Sequence, residues 1–424
     1  MAHYTHTHPR MKYTFCGIDS HAETHTAVFL DPFFELIGEL TIPNIPSQFP
    51  QFLKDAEQFL IHGTTLCFGF EDHTRYGRGL VRFLLEGKHL VKCVSSNLVK
   101  SERDAQNVLK KTDSIDAECA ARVLISRFDK LPLACINDDY WVLGNLVARR
   151  NMIVKTHTMM KNQLHSLLID NYPSYKKFFC NIDGVAALAF YEHFSSSEKL
   201  AAVSADELHT FFHEHARGTL RPDKAKLILK LVSSDGARII ENQEIRDFNI
   251  QSIIRQMRFN QSELKRIDGQ IKLFLKHFDH YPLTSMAGID VATAAKIIVE
   301  VGNIDRFKTA ATLASYAGIS PVTHASGKGS VQFANKFGNR ALKDELFHLA
   351  KRQIMPLGKT GLIINPHLYH YYQKKLKDGK TKRQALKALQ RRLITILWKI
   401  MKYNRPYINP EPIKLKDLEE GAAV

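Results

Sequence analysis

Over the first 130 residues, apolar positions come in short runs that alternate between strand and helix periodicity. Residues 13–18 form an apolar strand that ends at Asp19. Residues 25–30 form a second strand and residues 35–42 a third, with the turn-like pair Asp31-Pro32 between them. Residues 49–61 have helical periodicity. Residues 64–70 read as a buried strand (Leu66, Cys67, Phe68, Phe70) that ends at Glu71. A helix over 76–86 and a fifth strand over 89–94 follow. The last helix opens at Asp116, with Ala117, Ala120, Ala121, Val123 and Leu124 on its apolar side. Three strands, helix, strand, helix, strand, helix predicts a mixed α/β domain over 13–130.

The period changes after Asp139. Leu143, Leu146, Arg150, Ile153, His157, Met160, Leu164 and Leu167 follow a three-four spacing, the seam of a coiled coil. A second seam runs through Ile250, Ile253, Met257, Asn260, Leu264, Ile267, Ile271, Phe274 and Phe278. Two such helices pair antiparallel with each other or across a dimer, and Arg150, His157 and Asn260 set the register. The coiled coil is predicted over 138–282. Residues 171–235 form a helical insertion at its tip, punctuated by Pro173, Gly184 and Gly218-x-x-Arg221-Pro222. From Leu283 a mainly helical unit runs to 408, and 409–424 is a tail. Residues 283–295, with Gly288 at the turn, read as a helix-hairpin-helix or as an ordinary capped helix pair. Asp290 stands where that motif has its second glycine, and a carboxylate there opposes phosphate binding.

Charge narrows the partners. The 424-residue chain carries a formal net charge of +16, and the usual reason for such an excess is a polyanion, most often nucleic acid. No apolar run is long enough to span a membrane, and residues 1–12 read as a disordered leader with no signal-peptide pattern. The six cysteines have no Cys-x-x-Cys pair and read as buried thiols of a reducing cytosol. The helix rich in Leu386, Leu389, Leu393, Ile396, Leu397 and Ile400 bears Lys382, Arg383, Lys387, Arg391 and Arg392 on its other face. That face is either solvated or in contact with phosphate.

The candidate chemistry starts from Asp113 and Asp116. Three residues apart at a helix start, they share one face. A solvated first turn accounts for them as well, since acids suit the positive end of the helix dipole. If the first and fourth strands are neighbours, however, Asp19 and Glu71 meet at their ends and the helix adds its two acids. Four carboxylates in one place call for divalent cations, and oxygen-only ligands suit Mg2+ or Mn2+. Two such ions flanking a phosphodiester activate the attacking oxygen and stabilise the leaving one. Farther on, residues 323–330 form a Gly/Ser loop with Lys328, followed by the basic helix start Lys336-Phe337-Gly338-Asn339-Arg340. A serine there is a turn residue or a nucleophile toward phosphorus.

These pieces resemble the DEDD-type transposases of the one-ten family of bacterial insertion sequences, also called bridge-RNA-guided or seek-RNA-guided recombinases. The residues that carry the resemblance are Gly17-Ile18-Asp19, then Glu71 with Thr74, Tyr76 and Gly77, then Gly87 and Lys111-Thr112-Asp113-Ser114-Ile115-Asp116-Ala117. In the second half they are Gly288-Ile289, Phe307, Tyr316-Ala317-Gly318-Ile319-Ser320-Pro321, Ser326-Gly327 and Lys336-Phe337-Gly338-Asn339-Arg340-Ala341-Leu342. The resemblance implies an RNase-H-like (RuvC-like) first domain whose Asp19, Glu71, Asp113 and Asp116 bind metal. It implies Ser326 as the nucleophile of the C-terminal transposase domain, forming a phosphoserine link to DNA, with Ser320 and Ser330 as rivals. It further implies a homo-oligomer, dimer or tetramer, in which metal site and serine meet across subunits. DNA is the substrate, a noncoding guide RNA reads the target, and the protein works in the bacterial cytoplasm, at the nucleoid when acting. The sequence departs from the family at Ser20-His21-Ala22-Glu23, where His21 and Glu23 stand close to the metal site. The alternative is a metal-dependent endonuclease that resolves branched DNA by hydrolysis, which needs the acids and no serine.

Overall fold

The computed structural model describes residues 8–420 except 73–74, 108–109, 136, 216–221, 237–240, 327–328, 334 and 336–337; the side chains of 222, 323–326, 329–332, 359 and 419–420 are likewise not described. The chain divides into two compact units, Met1–Asp138 and Asp139–Val424.

The first unit is a five-stranded mixed sheet with helices on both faces. Its elements are β1 (Tyr13–Ser20), β2 (Thr24–Leu30), β3 (Leu36–Pro43), α1 (Phe49–Ala56), β4 (Thr65–Phe70), α2 (Arg78–Glu86), β5 (Leu90–Cys93), α3 (Ser96–Ala105) and α4 (Asp113–Ser126). The strand order is β3-β2-β1-β4-β5. Strands β1, β2 and β3 pair antiparallel, whereas β4 lies parallel to β1 and β5 parallel to β4. The two-residue period of the strands sorts the core. Cys16, Ile18, Phe68 and Phe70 join Phe49, Phe52, Leu80 and Leu84 of α1 and α2 on one face. Phe15 and Cys67 join Ala117, Ala120, Ala121 and Leu124 of α4 on the other.

Two findings differ from the sequence reading. Helix α3 was not foreseen, because Val99 is its one buried side chain and its apolar periodicity is weak. The helix expected over 49–61 stops as an α-helix at Ala56 and continues as a single 3-10 turn, Glu57–Phe59.

The second unit is mostly helical. Helices α5 (Asp138–Asn171) and α9 (Gln243–Phe274) flank α6 (Val185–His193), α7 (Ala205–His215) and α8 (Pro222–Asp235). Contacts at Arg150–Asp268, Met160–Asn260 and Asp170–Arg246 show that α5 and α9 run antiparallel. The buried side chains of α9 are Asp247, Ile250, Ile254, Met257, Asn260, Ile267 and Ile271, so the expected position Ile253 gives way to Ile254. His157 turns toward the insertion, 3.4 Å from Asp183, which also accepts a hydrogen bond from Lys161. The insertion has its own core around Tyr172, Phe178, Phe190, Tyr191 and Phe212.

The remainder comprises α10 (Val291–Val301), α11 (Ala310–Tyr316), β6 (Val322–Ser326), β7 (Gly329–Phe333), α12 (Arg340–Ile354), β8 (Leu362–Ile363), α13 (Pro366–Lys377), α14 (Lys382–Tyr403), β9 (Ile413–Lys414) and α15 (Leu415–Glu420). The expected Gly/Ser loop is therefore a hairpin, β6 pairing antiparallel with β7. Part of the expected tail is structured: β9 pairs with β8, and Leu418 of α15 is buried. Two cysteines read as buried thiols, Cys135 and Cys180, are exposed. Among the described residues no helix is long and apolar enough to cross a membrane.

One close approach fixes α4 on the sheet. A Cβ on Gly17 of β1 would stand 2.2 Å from the Ala117 carbonyl oxygen and 2.3 Å from the Ala121 nitrogen. Both are backbone atoms of α4, so no side-chain rotation relieves the overlap. Overpacking typically costs ~1–3 kcal/mol, and a collision with backbone belongs at the upper end. Gly17→Val is therefore expected to lower the urea unfolding free energy of the first unit by about 3 kcal/mol, while Gly79→Ala, whose Cβ would meet only the Phe49 ring at an ordinary 3.4 Å, costs much less. Equal midpoints for Gly17→Val and the parent would refute the tight contact.

Candidate metal centre and serine hairpin

The strand period that sends Phe15 toward α4 sends Gly17 and Asp19 the same way. On β4, Cys67, Gly69 and then Glu71 follow the same alternation. The parallel register pairs Gly17 with Gly69 and Ile18 with Phe70, so Asp19 and Glu71 come next on the two strands. Above them α4 begins. Thr112 caps it, its hydroxyl accepting from the Ile115 N–H at 3.3 Å, and Asp113 and Asp116 lie in the first turn. The conditional geometry of the sequence reading is thus met: β1 and β4 are neighbours, and α4 crosses over their ends.

The acids differ in exposure. Asp116 is buried, the Asp19 side chain is mostly covered, and Asp113 is open. Burial pushes the Asp19 carboxyl up; contact with His21 pulls it down, and the charges of Asp116 and Asp113 push it up again. Glu71 is raised by burial, relieved by a hydrogen bond with the Ser96 side chain, and raised further by Asp19 and Asp116. Each pair of like charges within range raises the cost of ionising both. Asp19 thus feels Asp116 and Asp113, and Glu71 feels Asp19 and Asp116, which fits a site that takes up positive charge.

Several cations already answer that field. His21 Nε2 lies 3.1 Å from Asp19 Oδ2 and 3.3 Å from Asp113 Oδ1. Burial lowers its pKa, but the two carboxylates outweigh burial and raise it. Arg103 of α3 is ion-paired with Asp116, and Lys111 Nζ approaches the same carboxylate at 3.8 Å. Ligand atoms of Asp19, His21 and Asp113 all lie within 4.8 Å of one another, a spacing compatible with one cation. Of the expected tetrad, Glu71 and Asp116 are not part of that group, and neither is the exposed Glu23. Arg103 and Ser96 were missed by the sequence reading because both belong to α3, whose helical signal is poor.

The candidate serines lie in the second unit. Ser326 ends β6 and pairs with Gly329 across residues 327–328, so its backbone sits at the hairpin tip. Ser330 pairs with Ala325, one step farther down. The side chains of Ser326 and Ser330, together with Gly327, Lys328, Lys336 and Phe337, lie outside the described residues. Ser320 precedes the hairpin, and its N–H donates to the Ala314 carbonyl at the end of α11 (3.3 Å). The glycines and Asn339 of the second motif build the base of the hairpin. Gly338 has φ +112°, and a Cβ there would stand 2.5 Å from the Gly318 nitrogen. Asn339 caps α12 by accepting from the Leu342 N–H, and its Nδ2 donates to Glu300 (2.7 Å) and to the Tyr316 hydroxyl (3.1 Å).

At the expected helix-hairpin-helix, residues 283–285 form only a 3-10 turn, and Gly288 turns the chain with φ +89°. Asp290 then caps α10, accepting from the Thr293 N–H at 2.7 Å. Its carboxylate occupies the donor that a phosphate would use. Burial pushes Asp290 up, but the bonds from the Thr293 backbone and hydroxyl and the charges of Arg352 and Arg150 bring it below the usual carboxylate range. A folded-state pKa below the unfolded one gives stability that is present above the unfolded value, near 3.9, and lost as pH falls through the folded value. Asp290→Ala is expected to cost ~1 kcal/mol at pH 7 and to cost progressively less below about pH 4. Chemical denaturation at both pH values checks this; an equal loss at both would refute it.

Comparison with known proteins follows this geometry. Residues 16–173 match the family model of the IS110 DEDD transposase, and residues 280–373 match the model of the IS116/IS110/IS902 transposase family. The chain is 26% identical over 304 residues to an uncharacterized 43.6 kDa protein of insertion element IS110 from Streptomyces coelicolor, covering 69% of this chain and 71% of that one. It is 22% identical over 401 residues to an uncharacterized 44.8 kDa protein of insertion element IS116 from Streptomyces clavuligerus, covering 94% and 96%. It is 33% identical over 134 residues to the pilin gene-inverting protein of Moraxella bovis, which is 30% of this chain and 37% of that one. The class is thus a transposase, an enzyme that acts on DNA by strand cleavage and transfer. Within it, the chain belongs to the IS110 family of insertion-sequence transposases.

Proposed function

We propose that the chain cuts and rejoins the DNA strands of an insertion sequence, using a metal site of Asp19, Glu71, Asp113 and Asp116 and the nucleophile Ser326, with a noncoding RNA selecting the target. The observation that carries the reading is geometric: Asp19 and Glu71 follow one another at the ends of the neighbouring strands β1 and β4, Asp113 and Asp116 lie in the first turn of α4, and ligand atoms of Asp19, His21 and Asp113 lie within 4.8 Å of one another. The strand order and mixed pairing of the sheet support an RNase-H-like (RuvC-like) domain over 13–130. The antiparallel α5 and α9 support a coiled coil over 138–282, with its insertion at 171–235. The unit over 283–408 is read as the transposase domain.

Mg2+ or Mn2+ suits this donor set, and a cation bound there supplies Lewis acidity at a phosphate oxygen. Asp19 and Asp113 would hold such an ion from strand and helix, and His21 would join them only as the neutral imidazole, after giving up its proton. Arg103 is ion-paired with the buried Asp116 and offsets part of the site's negative charge. The Ser326 hydroxyl attacks phosphorus: an Oγ–P bond forms, the bond from phosphorus to the departing DNA oxygen breaks, the serine proton passes to a base, and the departing oxygen takes up a proton. The phosphoserine ester conserves the energy of the broken bond, so a DNA hydroxyl reverses the step at a new partner without ATP. The protein acts as a homo-oligomer bound to DNA and RNA.

The test uses the full chain with DNA carrying the element ends. The parent is expected to give a protein–DNA adduct that survives denaturation, and Ser326→Ala none. Ser320→Ala and Ser330→Ala keep the adduct. Asp116→Asn is expected to slow its formation by at least ~100-fold. Strand cleavage at the parental rate by Ser326→Ala, with no adduct on the parent, would replace recombination by hydrolysis. Mn2+ is expected to raise the melting temperature of the parent and not that of Asp19→Asn. RNA that co-purifies with the protein is expected to be one discrete species encoded beside the gene; recovery of bulk cellular RNA alone would count against guidance.

A further inference from the structure

Most cations of the second unit that face inward are matched. Arg150 pairs with Asp268, Lys161 with Asp183, Lys199 with Asp247, and Lys296 and Arg352 share Glu345. Helix α14 departs from this pattern: among the described residues, Lys402, paired with Asp305, is its one cation with a carboxylate partner. It carries seven Lys or Arg residues and no Asp or Glu. Arg383, Lys387 and Arg391 follow one another at i, i+4 spacing, so they form one stripe. Helix α12 packs along α14, and its Lys343 joins the same field. Among the described residues, none of these four has a carboxylate partner.

The arrangement is unfavourable by itself. Lys387 is partly buried, and its ammonium is pushed toward neutrality first by burial and then by Lys343, Arg383 and Arg391. A solvated charged face does not require this. Long cationic side chains at i, i+4 normally alternate with acids, which stabilise a helix by ~0.2–0.5 kcal/mol per pair, and like charges cost a similar amount. Lys343 also donates from Nζ to the Asn335 carbonyl, 3.3 Å away and two residues past β7. Lys343 therefore links the cationic field to the segment that leaves the Ser326 hairpin.

We propose that Lys343, Arg383, Lys387 and Arg391 form a docking surface for the phosphodiester backbone of the DNA strand presented to the Ser326 hairpin. The proposal rests on the reading of that hairpin as the catalytic one for its choice of DNA over RNA. The four cations replace counterions along the strand, and their repulsion is relieved only when the polyanion is bound. They contact phosphate rather than bases, so they position the strand without reading its sequence.

The experiment compares the full chain with an Arg383→Gln/Lys387→Met/Arg391→Gln triple variant and with Lys387→Met alone. DNA and RNA affinities are measured from 0.1 to 0.4 M salt, together with thermal stability. For DNA, the slope of log affinity against log salt is expected to fall by about 2–3 in the triple variant and by about 1 in Lys387→Met. Melting temperature is expected to stay level or rise, because a repulsive cluster has been thinned. Rescue by Lys387→Arg, which keeps the charge, is expected to restore the slope. Unchanged DNA affinity and slope would overturn the proposal. So would a slope change confined to RNA, or a melting temperature that falls as far as affinity does, which would make the cations structural. If the parent forms no serine adduct but the DNA slope still falls, the docking surface stands and the serine reading fails.

Discussion

Everything in the first unit depends on how closely α4 lies on β1. Gly17 leaves no side chain between strand and helix, and Ala117 and Ala121 present backbone to it. A larger residue at Gly17 would push the helix off the strand. That lift would raise Asp113 and Asp116 away from Asp19. The small-residue contact thus does two jobs: it buries apolar surface, and it sets the distance over which four carboxylates interact. Gly69, above which Leu124 and Val94 pack, continues the same low floor under β4.

The acids held there are a cost to the fold. Desolvation and like charge both raise Asp19 and Glu71, and proteins seldom assemble such a group for stability. The protein moderates the cost with His21 and Arg103 and does not remove it. His21 reaches two carboxylates at once because it sits at the turn between β1 and β2, where the chain folds back past α4. Arg103 comes from the neighbouring helix α3 and meets the most buried acid. Strain of this kind, spread over three elements, marks a site better than any one residue does.

That distribution explains what was legible in the sequence. The strands, the long helices and the positions of Asp19, Glu71, Asp113 and Asp116 follow from period and punctuation, since each lies at a break in an apolar run. The pairing of β1 with β4 had to be assumed, because register is a long-range property. Helix α3 was invisible because a helix that buries only Val99 leaves almost no amphipathic trace, and Arg103 was lost with it. The hairpin at 322–333 looked like a loop because Gly327, Lys328 and Gly329 at its tip outweighed the short alternation of Val322-Thr323-His324 and Ser330-Val331-Gln332.

The second half of the chain shows why a motif need not point at its own chemistry. Tyr316, Gly318, Gly338 and Asn339 stand out in sequence beside the candidate serine, yet their roles in the structure are mechanical. Gly338 lies against Gly318 because any Cβ would strike backbone, and Asn339 ties α12 to Glu300 and Tyr316. Together they close the ends of the hairpin from both sides, 316–321 leading into β6 and 338–340 leading out of β7. A hairpin so anchored holds the backbone of Ser326, at the end of β6, at a fixed place relative to α11 and α12. Backbone contacts of this kind fix where a hairpin starts and ends, and they do so whatever side chains it carries, which is why the glycines and Asn339 stand out in sequence without being chemical groups themselves.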